Sequence, residues 1–196
     1  TITLPQLHIK STPIKRVENF DFLRITFNEH LNWKSHHQKI SLKISKTIGT
    51  LNKIKHFFPN YILLKLYQSL VLPHINYEIL VWGHNPNIIV TLQKCALRIT
   101  TNSKYNAHTD LIFIKLHLLK LSDIRKIFEL KFYFKLQNNL LPEYFNKNTF
   151  IQTHEQIHQQ NTRNRTNYSF PSHRHHFIKS NLRYTLVNTV NSLPPE

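Results

Sequence analysis

The residues best placed to do chemistry are lysines that recur at helical spacing after Trp33. Lys39, Lys43, Lys46 and Lys53 share one face of a helix, next to the face formed by regularly spaced isoleucines. No acid on that helix pairs with them. Such a row of cations neutralises the backbone phosphates of a polyanion. The alternative interpretation is a solvated basic face that keeps a helical domain soluble.

Carboxylates are too sparse for metal-dependent chemistry. Polynucleotide-forming enzymes position two metal ions with clustered acids. The three aspartates, Asp21, Asp110 and Asp123, lie far apart in the sequence, and none stands beside another acid. We therefore expect no metal-dependent polymerase or nuclease centre and no cofactor in this chain.

The other reactive side chains favour structural roles. Cys95 falls at a core position of a predicted helix with no neighbouring histidine, which favours an inert thiol over a nucleophile. His154 and His158 share helical spacing, and residues 173–176 hold three more histidines. Zinc usually takes four ligands with cysteine or carboxylate support, and only Glu155 is near. We expect these histidines to add polar surface and pH-dependent charge instead.

The composition favours an anionic partner. The 196-residue chain has 26 Lys and Arg against 10 Asp and Glu, a formal net charge of +16. This excess favours nucleic acid or an anionic membrane surface over an enzyme for acidic substrates. With only 2 glycines, phosphate-cradling loops are nearly excluded.

The compartment and completeness of the chain are also indicated by the sequence. No apolar run approaches the roughly 20 residues that span a bilayer, no signal-like N-terminus is present, and the single cysteine rules out intramolecular disulfides. We expect an intracellular protein, nuclear or cytoplasmic and not secreted. Because the chain starts at Thr1 and has no methionine, we expect a piece of a longer polypeptide.

The periodicity predicts an α+β fold that is mainly α, in three parts. Residues 1–32 contain short strands, and the alternation over 19–27 is typical of a half-buried strand. Residues 33–145 are predicted to form a helical bundle. Residues 146–196 are basic and rich in Asn, His and Gln, which predicts a flexible, partly disordered tail whose last segment docks back on the helices.

Apolar spacing, prolines and caps predict the helices of the bundle. The first follows Asn32, and the others are expected over 60–72, 87–100, 108–119 and 123–139. The expected core residues are Ile40, Ile44, Ile48, Leu51, Phe58, Leu63, Leu66, Leu70, Val71, Ile89, Leu92, Ala96, Ile99, Ile124, Ile127, Phe128 and Phe134.

The chain resembles, over nearly its whole length, the C-terminal part of reverse transcriptases encoded by non-LTR retrotransposons. Six or seven separate elements occur in the order of that family: VENFDFLRITFNEHLNWKSH, KISKTIGTLNKIKHFFP, LYQSLVLPHINYEILVWG, LQKCALRIT, NAHTDLIFIKLHLLKLSDI, NTRNR and a closing NSLPPE. Each alone is a weak signal, and their common order makes the resemblance specific.

The resemblance implies a role for each part. Residues 1–32 would be the end of the palm, a β-hairpin remnant called the primer grip, with Phe22, Leu23 and Arg24 near the primer terminus. The bundle would be the thumb, which clasps a duplex of RNA template and DNA primer, and the tail a C-terminal extension. The catalytic aspartates of that family lie upstream, so Mg²⁺ is expected for the missing fingers and palm, and this chain alone is expected to be inactive.

Arg24 departs from the family pattern, which generally has glycine at this position for a positive φ or a close backbone approach. Arginine either reaches a phosphate or marks a decayed copy. The alternative function is therefore a decayed or non-catalytic helical interaction protein without activity of its own. A membrane-surface protein is disfavoured because the basic residues are not confined to one amphipathic helix, and no membrane partner is expected.

Overall fold

The computed structural model describes residues 7–84, 86–145, 147–158, 165–172 and 179–194. Two small β-hairpins precede a series of helices, so the prediction of an α+β fold that is mainly α is confirmed. In chain order the strands are β1 His8–Ile9, β2 Thr12–Pro13, β3 Asn19–Phe22 and β4 Ile25–Asn28. The helices are α1 Lys34–Ile54, α2 Asn60–Leu70, α3 Leu72–Asn76, α4 Ile79–Trp82, α5 Asn87–Thr100, α6 Thr109–Lys115, α7 Leu121–Gln137, α8 Lys147–Phe150, α9 His154–Ile157 and α10 Leu182–Asn191.

The segment 19–28 forms the short β-hairpin that was expected, although the alternation over 19–27 alone suggested a single half-buried strand. β3 and β4 pair antiparallel, with Asn19 opposite Asn28 and Phe22 opposite Ile25. The chain reverses at Leu23 and Arg24, whose φ values are 46° and 64°. Positive φ at both central residues is typical of the two-residue turns that join hairpin strands, and these turns usually contain Asn or Gly. Neither residue occurs here, so the sequence carries no turn signal.

The main core lies between α1, α2 and α5, with contributions from α3, α4, α6 and α7. The predicted core face of α1 is confirmed, because its four regularly spaced aliphatic residues from Ile40 to Leu51 are buried. The largest fully buried side chains of the main core are Trp82 and Tyr67. Other predicted core residues that the structure buries are Leu63, Val71, Ile89, Ala96 and Ile124.

A buried glutamine connects three parts of this core. The Gln93 amide nitrogen donates to the Tyr67 hydroxyl at 3.2 Å and to the Leu119 carbonyl at 3.1 Å. Its side-chain oxygen accepts from the Leu121 backbone N–H at 3.1 Å. Gln93 is 1% exposed, and both ends of its amide have partners, so the residue fixes α2, α5 and the start of α7 relative to one another without a desolvation penalty.

Several predicted core residues are exposed. Phe58 is 46% exposed because it lies beyond the end of α1, where the helical period no longer applies. Leu70, at the last residue of α2, is 45% exposed. Phe134 is 62% exposed and belongs to neither core cluster, and Ile127 on the same helix is also exposed.

The described parts of the predicted tail are folded. Ile151, Leu186 and Val187 form a second apolar cluster with Leu136 of α7. Beside it, buried Arg125 and Glu129 of α7 form an ion pair at 3.1 Å. The Thr189 hydroxyl of α10 donates to Glu129 at 2.6 Å, and the Arg125 guanidinium donates to the Thr185 hydroxyl at 3.2 Å. α10, the last segment of the tail, therefore docks on α7 through apolar contacts and paired polar groups. Residues 159–164, 173–178 and 195–196 of the predicted tail lie outside the described residues.

Candidate nucleic-acid interface

The structure places Lys39, Lys43, Lys46 and Lys53 on one exposed face of α1. At about 100° per residue, the four Cα positions fall within a sector of roughly 80°. The helix carries them over about 21 Å of its length, at 1.5 Å per residue. We call these four residues the lysine stripe. The opposite side of α1 is buried in the main core, so packing fixes the direction in which the stripe points.

The first lysine of the stripe already has an acidic partner. Lys39 Nζ lies 2.5 Å from Asp21 Oδ2 on β3, and the side chain also donates to the Thr26 hydroxyl at 3.4 Å. The hydrogen bond from Lys39 to Asp21, and a second one from the Thr26 hydroxyl to Asp21, lower the pKa of Asp21 below its usual range. α1 itself contains no acid, but the hairpin supplies Asp21 as a partner, a pairing that the sequence did not indicate. Lys39 is thus partly occupied by a structural contact.

The remaining stripe lysines are not neutralised. Within the described ranges, no carboxylate forms an ion pair with Lys43, Lys46 or Lys53. The chain between Glu29 and Glu78 contains no acid at all and includes α1, α2 and α3. Seven lysines lie in this segment: Lys34, Lys39, Lys43, Lys46, Lys53, Lys55 and Lys65. Six of them lie on α1 or directly after it, and Lys65 lies on α2.

A neutral histidine of α1 binds the backbone of the hairpin. The Thr26 backbone N–H donates to His36 Nδ1 at 3.1 Å, so the proton of the neutral ring sits on Nε2. His36 is 2% exposed, and its ring lies 5.6 Å from that of Trp82 in an edge-on arrangement. Burial, and then the charges of His37 and Lys39, lower the pKa of His36 to about 4. This role of His36 could not be found from the sequence, since nothing there indicates the contact with Thr26.

The hairpin tip holds the other three predicted site residues at the surface. Phe22 is 56% exposed, Leu23 is 68% exposed, and Arg24 is also exposed. The Tyr77 hydroxyl donates to the Leu23 carbonyl at 2.7 Å, which ties the tip to the residue after α3. The Phe22 ring stacks on that of Phe20 at 6.5 Å, on the side of the hairpin away from Asp21. The ion pair between Asp21 and Lys39 joins the hairpin to the lysine stripe.

Arg24 occupies a backbone conformation that L side chains rarely adopt. Its φ of 64° lies in the left-handed region that favours glycine. The strain lies in the backbone, so it does not depend on what the guanidinium contacts.

The other candidate sites gain no support from the structure. Cys95 is half-buried on α5. In the described part of the chain, no three His, Cys, Asp or Glu side chains gather to hold a metal ion. His154, Glu155 and His158 lie at or next to α9, whereas the histidines of 173–176 fall outside the described residues. Of the described helices, none is both long enough and apolar enough to cross a membrane.

The sequence matches no protein-family model, and comparison with curated proteins and with solved structures found no similar protein.

Replacing Arg24 by glycine is expected to stabilise the protein by about 1 kcal/mol, because glycine adopts the positive φ of this turn without a Cβ clash. Chemical denaturation of the wild type and of the Arg24→Gly and Arg24→Ala variants measures the effect. Arg24→Ala removes the same charge but keeps the Cβ, so it is expected to leave stability nearly unchanged. Equal stabilisation by both variants would show that charge, not backbone conformation, is responsible.

Acidification is expected to loosen the hairpin. The folded-state pKa of His36 is about 4, below its ordinary 6.5, so its contribution to stability is fully present above pH 6.5 and is lost as the pH falls through 4. The full loss amounts to about 3 kcal/mol. Unfolding free energies measured from pH 7 to pH 4 test this.

The matched variant for that measurement is His36→Asn, whose side-chain oxygen can accept the Thr26 N–H but does not titrate. His74 and His84 also have lowered pKa values, so the test is the difference between wild type and variant. The variant is expected to lose much less stability on acidification. Identical pH profiles would contradict the role assigned to His36.

Proposed function

We propose that this chain is the nucleic-acid-holding part of a reverse transcriptase of the non-LTR retrotransposon kind, an RNA-directed DNA polymerase. In this proposal it holds the duplex of RNA template and DNA primer by sequence-independent phosphate contacts. It is inactive alone and acts with upstream fingers and palm of the same polypeptide, which supply the catalytic aspartates and Mg²⁺ in the nucleus or cytoplasm. The observation that supports the proposal most is the exposed, largely unneutralised lysine stripe on α1.

The dimensions of the stripe suit a nucleic-acid backbone. Its length of about 21 Å corresponds to roughly six phosphates of one strand at 3.4 Å per nucleotide. Lysine ammonium groups are compact, hydrated charges on flexible side chains, so they follow phosphates without reading bases. Because Lys39 already pairs with Asp21, about three stripe lysines remain free to displace counterions.

The hairpin tip is proposed to lie near the primer terminus, with Phe22, Leu23 and Arg24 facing it. The support is that the three residues are exposed on a hairpin fastened to the first turns of α1, the helix that also carries the stripe. A duplex along the stripe would therefore have one end close to this hairpin.

A decayed or non-catalytic helical interaction protein remains the second candidate. The observation that favours it is Arg24 in a positive-φ position where the resembling family generally has glycine. This candidate binds no duplex through the stripe, so a binding measurement separates the two.

The wild-type chain is expected to bind an RNA–DNA hybrid with an affinity that falls about 40-fold between 50 and 200 mM salt, as three released counterions predict. Fluorescence anisotropy with hybrids of two unrelated sequences measures this. Simultaneous Lys43→Gln, Lys46→Gln and Lys53→Gln substitutions are expected to abolish most of the binding and of the salt dependence.

The matched control replaces three exposed lysines outside α1, namely Lys104, Lys126 and Lys135, by glutamine and removes the same total charge. It is expected to retain most of the affinity and the salt slope. A salt-independent affinity in the wild type, or equal losses in both triple variants, would refute the proposal.

A further inference from the structure

The turn between α1 and α2 exposes three aromatic side chains. Phe57 is 81% exposed, Phe58 is 46% exposed, and Tyr61, in the first turn of α2, is 63% exposed. We call Phe57, Phe58 and Tyr61 the aromatic turn. Single exposed apolar residues are common, but three large rings within five residues form a patch of the kind that marks a binding surface.

The backbone of the aromatic turn is held in place on both sides. The Lys55 N–H donates to the Leu51 carbonyl at 3.0 Å, and the Phe57 N–H donates to the Ile54 carbonyl at 2.9 Å. On the other side, the Ile62 N–H donates to the Pro59 carbonyl at 3.0 Å. The Cα atoms that carry the rings are therefore positioned by the two helices before any ligand binds, which lowers the entropic cost of binding.

The charge around the aromatic turn suits a polyanion. Lys53, the last residue of the lysine stripe, lies in the final turn of α1, and Lys55 and His56 follow immediately. The whole acid-free segment between Glu29 and Glu78 surrounds the turn in sequence. The end of the stripe at Lys53 therefore lies only four residues before Phe57.

We propose that the aromatic turn is a stacking platform for unpaired nucleotides that leave the duplex held along α1. Every base has a flat π-face that stacks on an aromatic ring, so the platform is tolerant of sequence. This inference rests on the proposed function and extends it from a duplex to a junction between duplex and single strand. Exposed rings beside lysines also suit an anionic membrane. Here, however, the lysine stripe extends for about 21 Å along α1 before the aromatic turn, and such a row of cations suits a linear polyanion.

The test compares a blunt RNA–DNA hybrid with the same hybrid carrying a five-nucleotide unpaired overhang. The wild type is expected to bind the overhang form about 5- to 150-fold more tightly, the range that stacking of one base supplies. The Phe57→Ala, Phe58→Ala double variant is expected to lose this preference but to keep the blunt-hybrid affinity and its salt slope. The matched control is Tyr105→Ala with Tyr144→Ala, which removes two rings that are 90% and 87% exposed outside the turn.

Single substitutions at Phe57 separate ring stacking from general apolar contact and leave Phe58, which is less exposed, unchanged. Phe57→Trp is expected to keep or increase the overhang preference, whereas Phe57→Leu is expected to lose it. Equal retention in Phe57→Leu and the wild type would overturn the stacking platform.

The outcomes also distinguish this inference from the proposed function. Equal affinity of the wild type for both hybrids, with steep salt dependence, would overturn the platform alone. Salt-independent or absent binding to the blunt hybrid would overturn the proposed function. Flotation with phosphatidylserine vesicles that is lost in the double variant, without any overhang preference, would instead assign the aromatic turn to a membrane surface.

Discussion

The structure depends on the two-sided character of α1, which is buried on one side and cationic on the other. Like charges at helical spacing destabilise a helix by roughly 0.2–0.5 kcal/mol per pair. Burial of an aliphatic side chain contributes about 1.5–3 kcal/mol, and Ile44 and Leu51 are almost completely buried in the main core. The apolar side therefore outweighs the repulsion, and α1 can hold an unneutralised lysine face towards solvent. An anion that binds this face removes the repulsion, so folding and the proposed binding favour the same geometry.

The parts of the fold that could be predicted from sequence are those governed by local rules. Apolar residues at helical spacing identified α1 and its buried face, and Pro59 marked the start of α2. The helix predicted over 87–100 agrees with α5. In each case the information lies within a few turns of one helix, where spacing determines which side chains share a face.

The features that could not be predicted depend on contacts between residues distant in sequence. A hairpin was expected from the resemblance, but no glycine or asparagine signals its reversal at Leu23 and Arg24, and nothing local indicates that His36 of α1 holds it. The pairing of Asp21 with Lys39 joins residues of different elements and changes which lysines are free. Similarly, the polar stretch before α10 suggested disorder, but its Tyr168 hydroxyl accepts from Gln137 of α7 and its backbone N–H donates to the Asn191 side chain of α10. Composition counts polar groups but does not show which of them pair.

The central claim is that the stripe lysines contact the nucleic acid directly. Lysine acetylation with and without a saturating RNA–DNA hybrid, read residue by residue by mass spectrometry, tests it most directly. Strong protection is expected at Lys43, Lys46 and Lys53, a weaker change at Lys39 because Asp21 already pairs with it, and no protection of the exposed Lys104, Lys126 and Lys135. Uniform protection of all lysines, or protection confined to those outside α1, would contradict it.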